Sequence, residues 1–140
     1  MDDERFANPP DDVVRDILAT PKTIAVVGCS SSPLRDSHDI ARLLQTRGHR
    51  VIPVNPAETE IRGGRGWPSL RDVPEHIDVV DVFRRPEFVA ELARDAVAVG
   101  ARVLWLQLGV IDERAALEAR RSGLTVVMDR CPKIEYRRLF

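Results

Sequence analysis

The densest group of residues suited to ligand chemistry follows the first β-branched run of the chain, residues 24–27. This run ends at Gly28, a residue type that allows the backbone to turn sharply after a strand. Three serines then offer hydroxyls and unhindered backbone N–H groups: Ser30, Ser31 and Ser32. A helix capped by Asp36 or Ser37 is expected next, with its positively polarised end toward the loop. The segment is typical of a phosphate or pyrophosphate site, although serines in polar loops also serve turns and caps alone.

The segment lacks the two commonest phosphate-binding fingerprints. Only the first glycine of GxGxxG is present, and no Gly-Lys-Ser/Thr follows as in a P-loop. Domains that bind NAD also carry an acid about 20 residues past the glycines, which bonds the ribose hydroxyls. Here the second β-branched run, residues 51–54, ends at Asn55 and Pro56, and Glu58 lies further on. A neutral Asn55 fits a ribose that carries an extra phosphate; alternatively it is an ordinary turn former.

Two further apolar runs end in candidate ligand contacts. Phe83 is followed by Arg84 and Arg85, and a guanidinium binds phosphate through a fork of N–H groups. Gln107 and Gly109 end the next run, and glycine would let a ligand approach the backbone closely. The competing interpretations are solvated surface charge for the arginines and a simple tight turn for the glycine.

A regular succession of elements must position these residues. Continuous apolar runs predict strands covered on both faces, at residues 24–27, 51–54, 79–83, 103–108 and 124–128. Amphipathic segments predict helices between most of these strands. A further helix is predicted before the first strand, and this helix starts at Asn8-Pro9-Pro10. The exception is residues 57–77, where glycines and prolines predict a crossover of turns and short pieces.

Helix caps support this succession. Pro86 is suited to the first turn of one helix, and Asp112 to the N-cap of another. The order of elements predicts one domain over residues 1–140, α/β in class. Its doubly wound parallel sheet has five strands in three α/β/α layers. Residues 1–8 are expected to be a flexible N-terminus.

In an open parallel sheet, ligands bind beyond the carboxyl ends of the strands, where the strand order reverses. Five segments follow the predicted strands: residues 28–37, 55–58, 83–86, 107–110 and 129–133. A ligand site is therefore expected among them.

Composition excludes several classes of function. The 140 residues include 44% hydrophobic and 31% charged residues, with a net charge of −1, so general nucleic-acid binding is not expected. No apolar run is long enough to span a bilayer, and the acidic N-terminus precedes no signal-peptide core, which predicts a cytoplasmic protein. The two cysteines and three histidines show no metal-ligand spacing.

Taken together, five segments resemble the small stand-alone CoA-binding proteins, which are similar to the N-terminal CoA-binding domain of the succinyl-CoA synthetase α-subunit. The segments are GCS at 28–30 with Ser37-His38, VIPVNP at 51–56, DVVDVFRRP at 78–86, LWLQLGV at 104–110 and MDRCPKIE at 128–135. Each is weak alone, but the combination is specific and covers residues 12–139.

This resemblance implies a Rossmann-like fold that binds coenzyme A or an acyl-CoA at the strand ends. The nucleotide part would contact the serines of the first loop, with Asn55, Pro56 and the stretch after Phe83 beside the adenosine. Gly109 would line the side toward the pantetheine. Family members often carry a basic or bulky residue after Asn-Pro, where this chain has Ala57. Arg35, Arg62 or Arg84 is expected to supply the phosphate contact instead.

The residues favour a binding module over an enzyme. A chain of 140 residues is expected to have no room for the phosphohistidine domain of a succinyl-CoA synthetase. Asp81, within an apolar strand, is more simply a hydrogen-bonded structural carboxylate than a catalytic acid. Cys131, at the start of an expected short helix, is a candidate reactive thiol toward CoA or a thioester, or else a core residue.

The expected function is thus a non-catalytic sensor, carrier or partner subunit, with a protein partner or homodimer left open. The alternatives are a small NAD(P)-dependent oxidoreductase and an accessory subunit of a CoA ligase.

Overall fold

Helices and strands alternate along the chain in the computed structural model, which describes residues 4–58, 60–61 and 64–140. The helices are α1 (Asp11–Ala19), α2 (Asp36–Thr46), α3 (Val89–Ala98), α4 (Glu113–Arg121) and α5 (Pro132–Leu139). The strands are β1 (Thr23–Val27), β2 (Arg50–Val54), β3 (Glu60–Ile61), β4 (Gly64–Arg65), β5 (Val79–Val82), β6 (Val103–Leu106) and β7 (Thr125–Val127). In these described ranges, no helix has the length and apolar character needed to cross a membrane.

One parallel sheet forms the centre of the domain. Within the described residues it has five strands in the order β2-β1-β5-β6-β7, so the chain crosses over once between β2 and β5. The pairing is in register at both neighbours of β1, where Val27 lies opposite Val54 on one side and Val82 on the other. The strand order reverses between β1 and β5, and this is where a ligand is expected in such a sheet.

A single residue extends the sheet beyond β2. Trp67 forms a parallel bridge with Val54, and its N–H donates to the Pro53 carbonyl at 3.0 Å. The Trp67 carbonyl in turn accepts from the Asn55 N–H at 2.8 Å. Counting this position as a strand gives the order 3-2-1-4-5-6 of the Rossmann fold, so the predicted fold class is confirmed.

Both faces of the sheet are covered. One side packs against α3 and α4 through alternate strand residues such as Val80, Val82 and Leu104. The other side packs against α1, α2 and α5 through Val26, Val79 and Trp105. The predicted three layers are therefore present, and the continuous apolar runs arise because both strand faces are buried.

The predicted strands are found, with shorter ends at β5, β6 and β7. Residues 57–77 contain the β3–β4 hairpin, the Trp67 bridge and a 3₁₀ turn at Leu70–Asp72, in keeping with the predicted crossover of short pieces. Asp112 caps α4 as predicted, because its carboxylate accepts from the Ala115 N–H at 3.0 Å. The cap predicted for α2 is wrong, since Asp36 and Ser37 both lie inside the helix.

A buried histidine joins three elements on the α1–α2–α5 side. The His49 Nδ1 accepts from the Lys22 N–H at 3.1 Å, so the ring nitrogen Nε2 carries the proton and donates to the Tyr136 hydroxyl at 2.7 Å. The Tyr136 hydroxyl donates onward to the Leu18 carbonyl at 3.2 Å. Burial, followed by the charge of Lys22, lowers the pKa of His49, which keeps the ring neutral and this chain of hydrogen bonds intact.

The start of the chain makes specific contacts from residue 4 onward. The Asn8 side chain exchanges two hydrogen bonds with the Met128 backbone, at 2.9 and 2.7 Å. The Phe6 N–H donates to the Glu113 carboxylate at 2.7 Å, and Glu4 pairs with Arg120. These contacts connect residues 4–8 to the rest of the domain, while residues 1–3 lie outside the described ranges. The predicted flexibility of residues 1–8 stays a prediction.

Candidate functional site

A cleft of about 550 Å³ opens at the point where the strand order reverses. It lies at the carboxyl ends of β1, β2 and β5. Residues from the three segments that follow these strands line it: Gly28, Ser30, Leu34, Arg35, Asp36, Ser37, Asn55, Glu58 and Phe83. The structure thus brings together five of the residues predicted to bind the ligand: Gly28, Ser30, Arg35, Asn55 and Phe83. Their contact with a ligand stays a prediction.

Gly28 fixes the floor of this cleft. Its N–H donates to the Val54 carbonyl at 2.7 Å, and its φ of 85° lies in the left-handed region that favours glycine. A Cβ at this position would lie 2.5 Å from the Phe83 carbonyl oxygen. Two features therefore require glycine here: the backbone conformation, and the close approach of the backbone directly after β5.

The loop after Gly28 is held by its own serines. The Ser30 N–H donates to the Ser37 Oγ at 3.0 Å, and the Ser32 N–H donates to the Ser30 Oγ at 3.0 Å. A hydroxyl that accepts in this way still has its own proton to donate. Ser30 and Ser37 line the cleft, so their hydroxyls are suited to hydrogen-bonding phosphate oxygens. The sequence predicted Ser37 as a helix cap. Its hydrogen bond to the Ser30 N–H depends on the fold of the loop and was not predicted.

Asn55 ties the end of β2 to this loop. Its Nδ2 donates to the Cys29 carbonyl at 3.0 Å, and its Oδ1 accepts from the Ala57 N–H at 2.9 Å. The second hydrogen bond closes an Asx turn, so the interpretation of Asn55 as a turn former describes its geometry. Its side chain also lines the cleft, which means that the turn and the cleft share one residue.

Glu58 also lines the cleft, although in the sequence it lies beyond the end of β2. The turn at Pro56 and Ala57 carries the chain back, so that the Glu58 carboxylate accepts from the Ser31 N–H at 3.3 Å and from the Asn55 Nδ2 at 3.3 Å. It also accepts from the Ser31 hydroxyl. The Asn-Pro pair, which predicts a turn, was the available indication that residue 58 folds back.

Arg84 lies close to Gly28 but is not among the described residues that line the cleft. Its guanidinium stacks over the Phe88 ring, 4.2 Å from the centroid. With Pro56, it lines a separate cavity of about 200 Å³ that reaches Asp95 on α3. Arg35 is thus the arginine that lines the main cleft, while Arg62 lies outside the described residues. Arg84 therefore lines a different cavity from Arg35. Its contact with a phosphate stays a prediction.

The remaining predicted contacts are not among the described residues that line the cleft: Ser31, Ser32, Pro56, Arg84, Gln107 and Gly109. Gln107 is buried, and its Oε1 has no hydrogen-bond partner among the described residues. Gly109 has a φ of 79°, and the Val110 N–H donates to the Gln107 carbonyl at 2.9 Å, which agrees with the tight-turn interpretation of Gly109. The Gly109 N–H donates to the Asp129 Oδ1 at 2.8 Å. Cys131 does precede a short helix, α5, and its half-buried thiol packs on the α1–α2–α5 side of the sheet.

Asp81 lies in β5, the central strand of the sheet, and is not among the described residues that line the cleft. It is 1% exposed on the α1–α2–α5 side, opposite Val26 and Trp105 in the neighbouring strands. Neither carboxylate oxygen has a hydrogen-bond partner among the described residues, so the predicted partner is not found. Desolvation by burial raises the pKa of Asp81 well above its usual range, and the neutral form is therefore favoured.

Comparison with known proteins assigns the family. Residues 22–137 match the family model described as CoA binding domain. The uncharacterized protein YneT of Bacillus subtilis is 38% identical over 129 residues, which cover 92% of this chain and 96% of that protein. The solved structure of a hypothetical protein from Pyrococcus horikoshii has a TM-score of 0.90 at 36% identity, covering 97% of this chain and 98% of its own.

Larger proteins contain a similar segment. The α-subunit of the ADP-forming acetate–CoA ligase II of Pyrococcus furiosus is 29% identical over 77 residues, which cover 54% of this chain and 17% of that subunit. The sequence resemblance to stand-alone CoA-binding proteins is thereby confirmed. With its family model matched over residues 22–137 and its fold shared with solved relatives, this chain belongs to the CoA-binding domain family.

Proposed function

We propose that this protein binds coenzyme A or an acyl-CoA, without catalysing a reaction, in the cleft at the ends of β1, β2 and β5. The observation that carries the proposal is the position of that cleft. In a chain of the CoA-binding domain family, it opens where the strand order reverses, and it is lined by residues of the first loop.

The groups in the cleft suit a nucleotide with phosphate groups. The hydroxyls of Ser30 and Ser37 can donate to phosphate oxygens, and the guanidinium of Arg35 can pair with their charge. Phe83 offers an apolar surface at the end of β5, against which a base can pack. The absent side chain of Gly28 leaves room for the ligand near the backbone.

The same lining supports a role in binding alone. Among the described residues that line the cleft there is no cysteine, histidine or lysine. The carboxylates of Asp36 and Glu58 and the guanidinium of Arg35 are better suited to recognising a ligand than to transferring an acyl group.

Isothermal titration calorimetry of the reduced protein with CoA, dephospho-CoA and NAD⁺ tests the proposal. We expect saturable binding of CoA at one site per chain, and weaker binding by the Arg35→Gln variant, by about tenfold. The Arg114→Gln variant removes an equally charged, exposed side chain on α4 and is expected to bind CoA like the original protein. Binding of NAD⁺ without binding of CoA would favour the oxidoreductase instead.

An accessory subunit of a CoA ligase is the second candidate. It is favoured by the similarity to ADP-forming acetate–CoA ligases, whose matched segments make up 17–18% of their length. The side chain of Leu34 on the rim of the cleft is 93% exposed, which suits a contact with a partner chain as well as with a ligand. Co-purification of this chain with an acyl-CoA ligase chain from its native cells would support this candidate, and a lone monomer would oppose it.

A further inference from the structure

The Glu58 carboxylate, which lines the cleft, accepts hydrogen bonds from the first loop and from the turn after β2. It accepts from the Ser31 N–H and from the Asn55 Nδ2, both at 3.3 Å, and from the Ser31 hydroxyl. All three donors are uncharged. They belong to two different segments, so the carboxylate joins the β1–α2 loop to the turn after β2.

These donors are of the kind that a phosphate group uses. A backbone N–H and a hydroxyl in a loop between a strand and a helix are common ligands of phosphate oxygens. A carboxylate resembles one face of a phosphate, since it is an anion that accepts several hydrogen bonds at once. Glu58 therefore holds the place of an anion within the cleft.

The charge of Glu58 also acts on any anion that enters. Of the charged residues that line the described cleft, Arg35 is positive, whereas Asp36 and Glu58 are negative. A phosphate group close to the Glu58 carboxylate would be repelled, and the low dielectric of a cleft strengthens this repulsion. A ligand that carries a phosphate in this position must displace the carboxylate or bind against its charge.

We infer that Glu58 is a specificity-determining residue that lowers the affinity of the cleft for ligands with a phosphate group at the Ser31–Asn55 position. This inference rests on the proposed function, because it takes the cleft as the nucleotide site. Glu58 then acts as an internal competitor of the ligand for Ser31 and Asn55. When the ligand binds, its phosphate replaces the Glu58 carboxylate as the acceptor of their hydrogen bonds.

The test compares Glu58→Gln with the original protein by calorimetric titration with CoA, dephospho-CoA and inorganic pyrophosphate. The amide keeps the size of the side chain and removes its charge. Glu60→Gln is the matched control, because it removes the same charge from an exposed residue two positions away. We expect Glu58→Gln to bind CoA about tenfold more tightly than the original protein, and Glu60→Gln to bind it equally well.

The three probes separate the phosphate groups involved. A gain for CoA alone would assign the 3′-phosphate to the Ser31–Asn55 position, whereas a gain for all three probes would assign the diphosphate. An unchanged affinity for every probe, or weaker binding by Glu58→Gln, would overturn the inference, and weaker binding would show that Glu58 contacts the ligand favourably.

The proposed function can fail separately. If neither the original protein nor the Glu58→Gln variant binds CoA, the proposed function is contradicted. The titration with pyrophosphate then tests the role of Glu58 by itself. Tighter binding of pyrophosphate by Glu58→Gln would then still support the internal competitor. Equal binding by both proteins, or binding by neither, would overturn it.

Discussion

Gly28 combines two requirements that another residue type cannot meet together. Its φ of 85° costs any side chain about 1–2 kcal/mol. Its missing Cβ avoids a contact of 2.5 Å with the Phe83 carbonyl. Since Phe83 directly follows β5, the second requirement couples the first loop to the neighbouring strand of the sheet, and the shape of the cleft depends on both.

We predict that Gly28→Ala destabilises the protein by about 2–4 kcal/mol and weakens CoA binding at least tenfold, because the loop must move away from β5. Urea unfolding and calorimetry measure the two effects. Gly48→Ala is the control, since Gly48 also has a positive φ, of 92°, but would place its Cβ in open space. Only the strain of about 1–2 kcal/mol is expected there, with normal CoA binding. Equal effects of both substitutions would contradict the role of the Phe83 contact.

Asp81 makes stability depend on pH. The unfolded chain releases the Asp81 proton near pH 4, about the usual pKa of aspartate, whereas burial raises the pKa in the folded state. Between these two pKa values the folded state binds more protons, so the free energy of unfolding falls as pH rises.

Asp81→Asn keeps the size of the side chain and cannot ionise. We predict that the variant and the original protein have similar stability near pH 4. Above that pH, the variant should gain up to about 1.4 kcal/mol per pH unit over the original, until the folded-state pKa is passed. Urea unfolding of both proteins from pH 4 to pH 9 measures this difference. A difference that does not change with pH would show that Asp81 is not held neutral by the fold.

The sequence predicted several residues of the cleft and missed others for a physical reason. Gly28, Ser30, Arg35, Asn55 and Phe83 lie in the segments that follow strands β1, β2 and β5, so the fold class is enough to bring them together. Glu58 reaches the cleft only because the Asx turn of Asn55 reverses the chain. Arg84 follows a strand as well, but its stacking on Phe88 turns it toward α3, and such a preference cannot be derived from spacing.

Among the elements, α5 is fixed to the rest of the domain by buried polar contacts. The Tyr136 hydroxyl lies between the His49 ring and the Leu18 carbonyl, at 2.7 and 3.2 Å. The Glu135 carboxylate, also buried, pairs with Arg130 and Arg138 at 3.1 and 3.0 Å. The Tyr136 contacts join the C-terminal helix to α1 and to the loop before β2, which are distant in sequence, whereas the Glu135 pairs are local.

We predict that Tyr136→Phe lowers the free energy of unfolding by about 1–3 kcal/mol, because the His49 Nε2–H and the Leu18 carbonyl lose a buried partner. The apolar packing of the ring is retained, so the loss reports on the hydroxyl. Urea unfolding at pH 8, where His49 is neutral, provides the measurement. CoA binding should be unchanged, because Tyr136 is not among the described residues that line the cleft. A stability equal to that of the original protein would contradict the buried network.

The strands were predictable as elements, whereas their extension at Trp67 was not. A strand that is covered on both faces consists mostly of apolar residues, so it forms a continuous apolar run that is visible in the sequence. Trp67 joins the sheet through one bridge to Val54, and the glycines and prolines around it hide any strand pattern. A single paired residue carries too little periodicity to be recognised.

In the whole molecule, one topological feature determines the site. The chain leaves β2 through residues 57–77 and returns to the sheet on the other side of β1. The loops after β1 and β5 therefore diverge toward opposite faces of the sheet, and a cleft remains between them. We propose this cleft of about 550 Å³ as the CoA site, rather than the groove between α3 and α4 that is lined by Ala93 and Ala119.

The most direct test of this claim is a nuclear magnetic resonance titration of the ¹⁵N-labelled protein with CoA. We predict saturable shifts of backbone amides that are concentrated at Gly28, Ser30, Arg35, Asn55 and Phe83, with no comparable shifts at Ala93 and Ala119. Binding of CoA with the largest shifts in the α3–α4 groove, or no shifts at millimolar CoA, would contradict it.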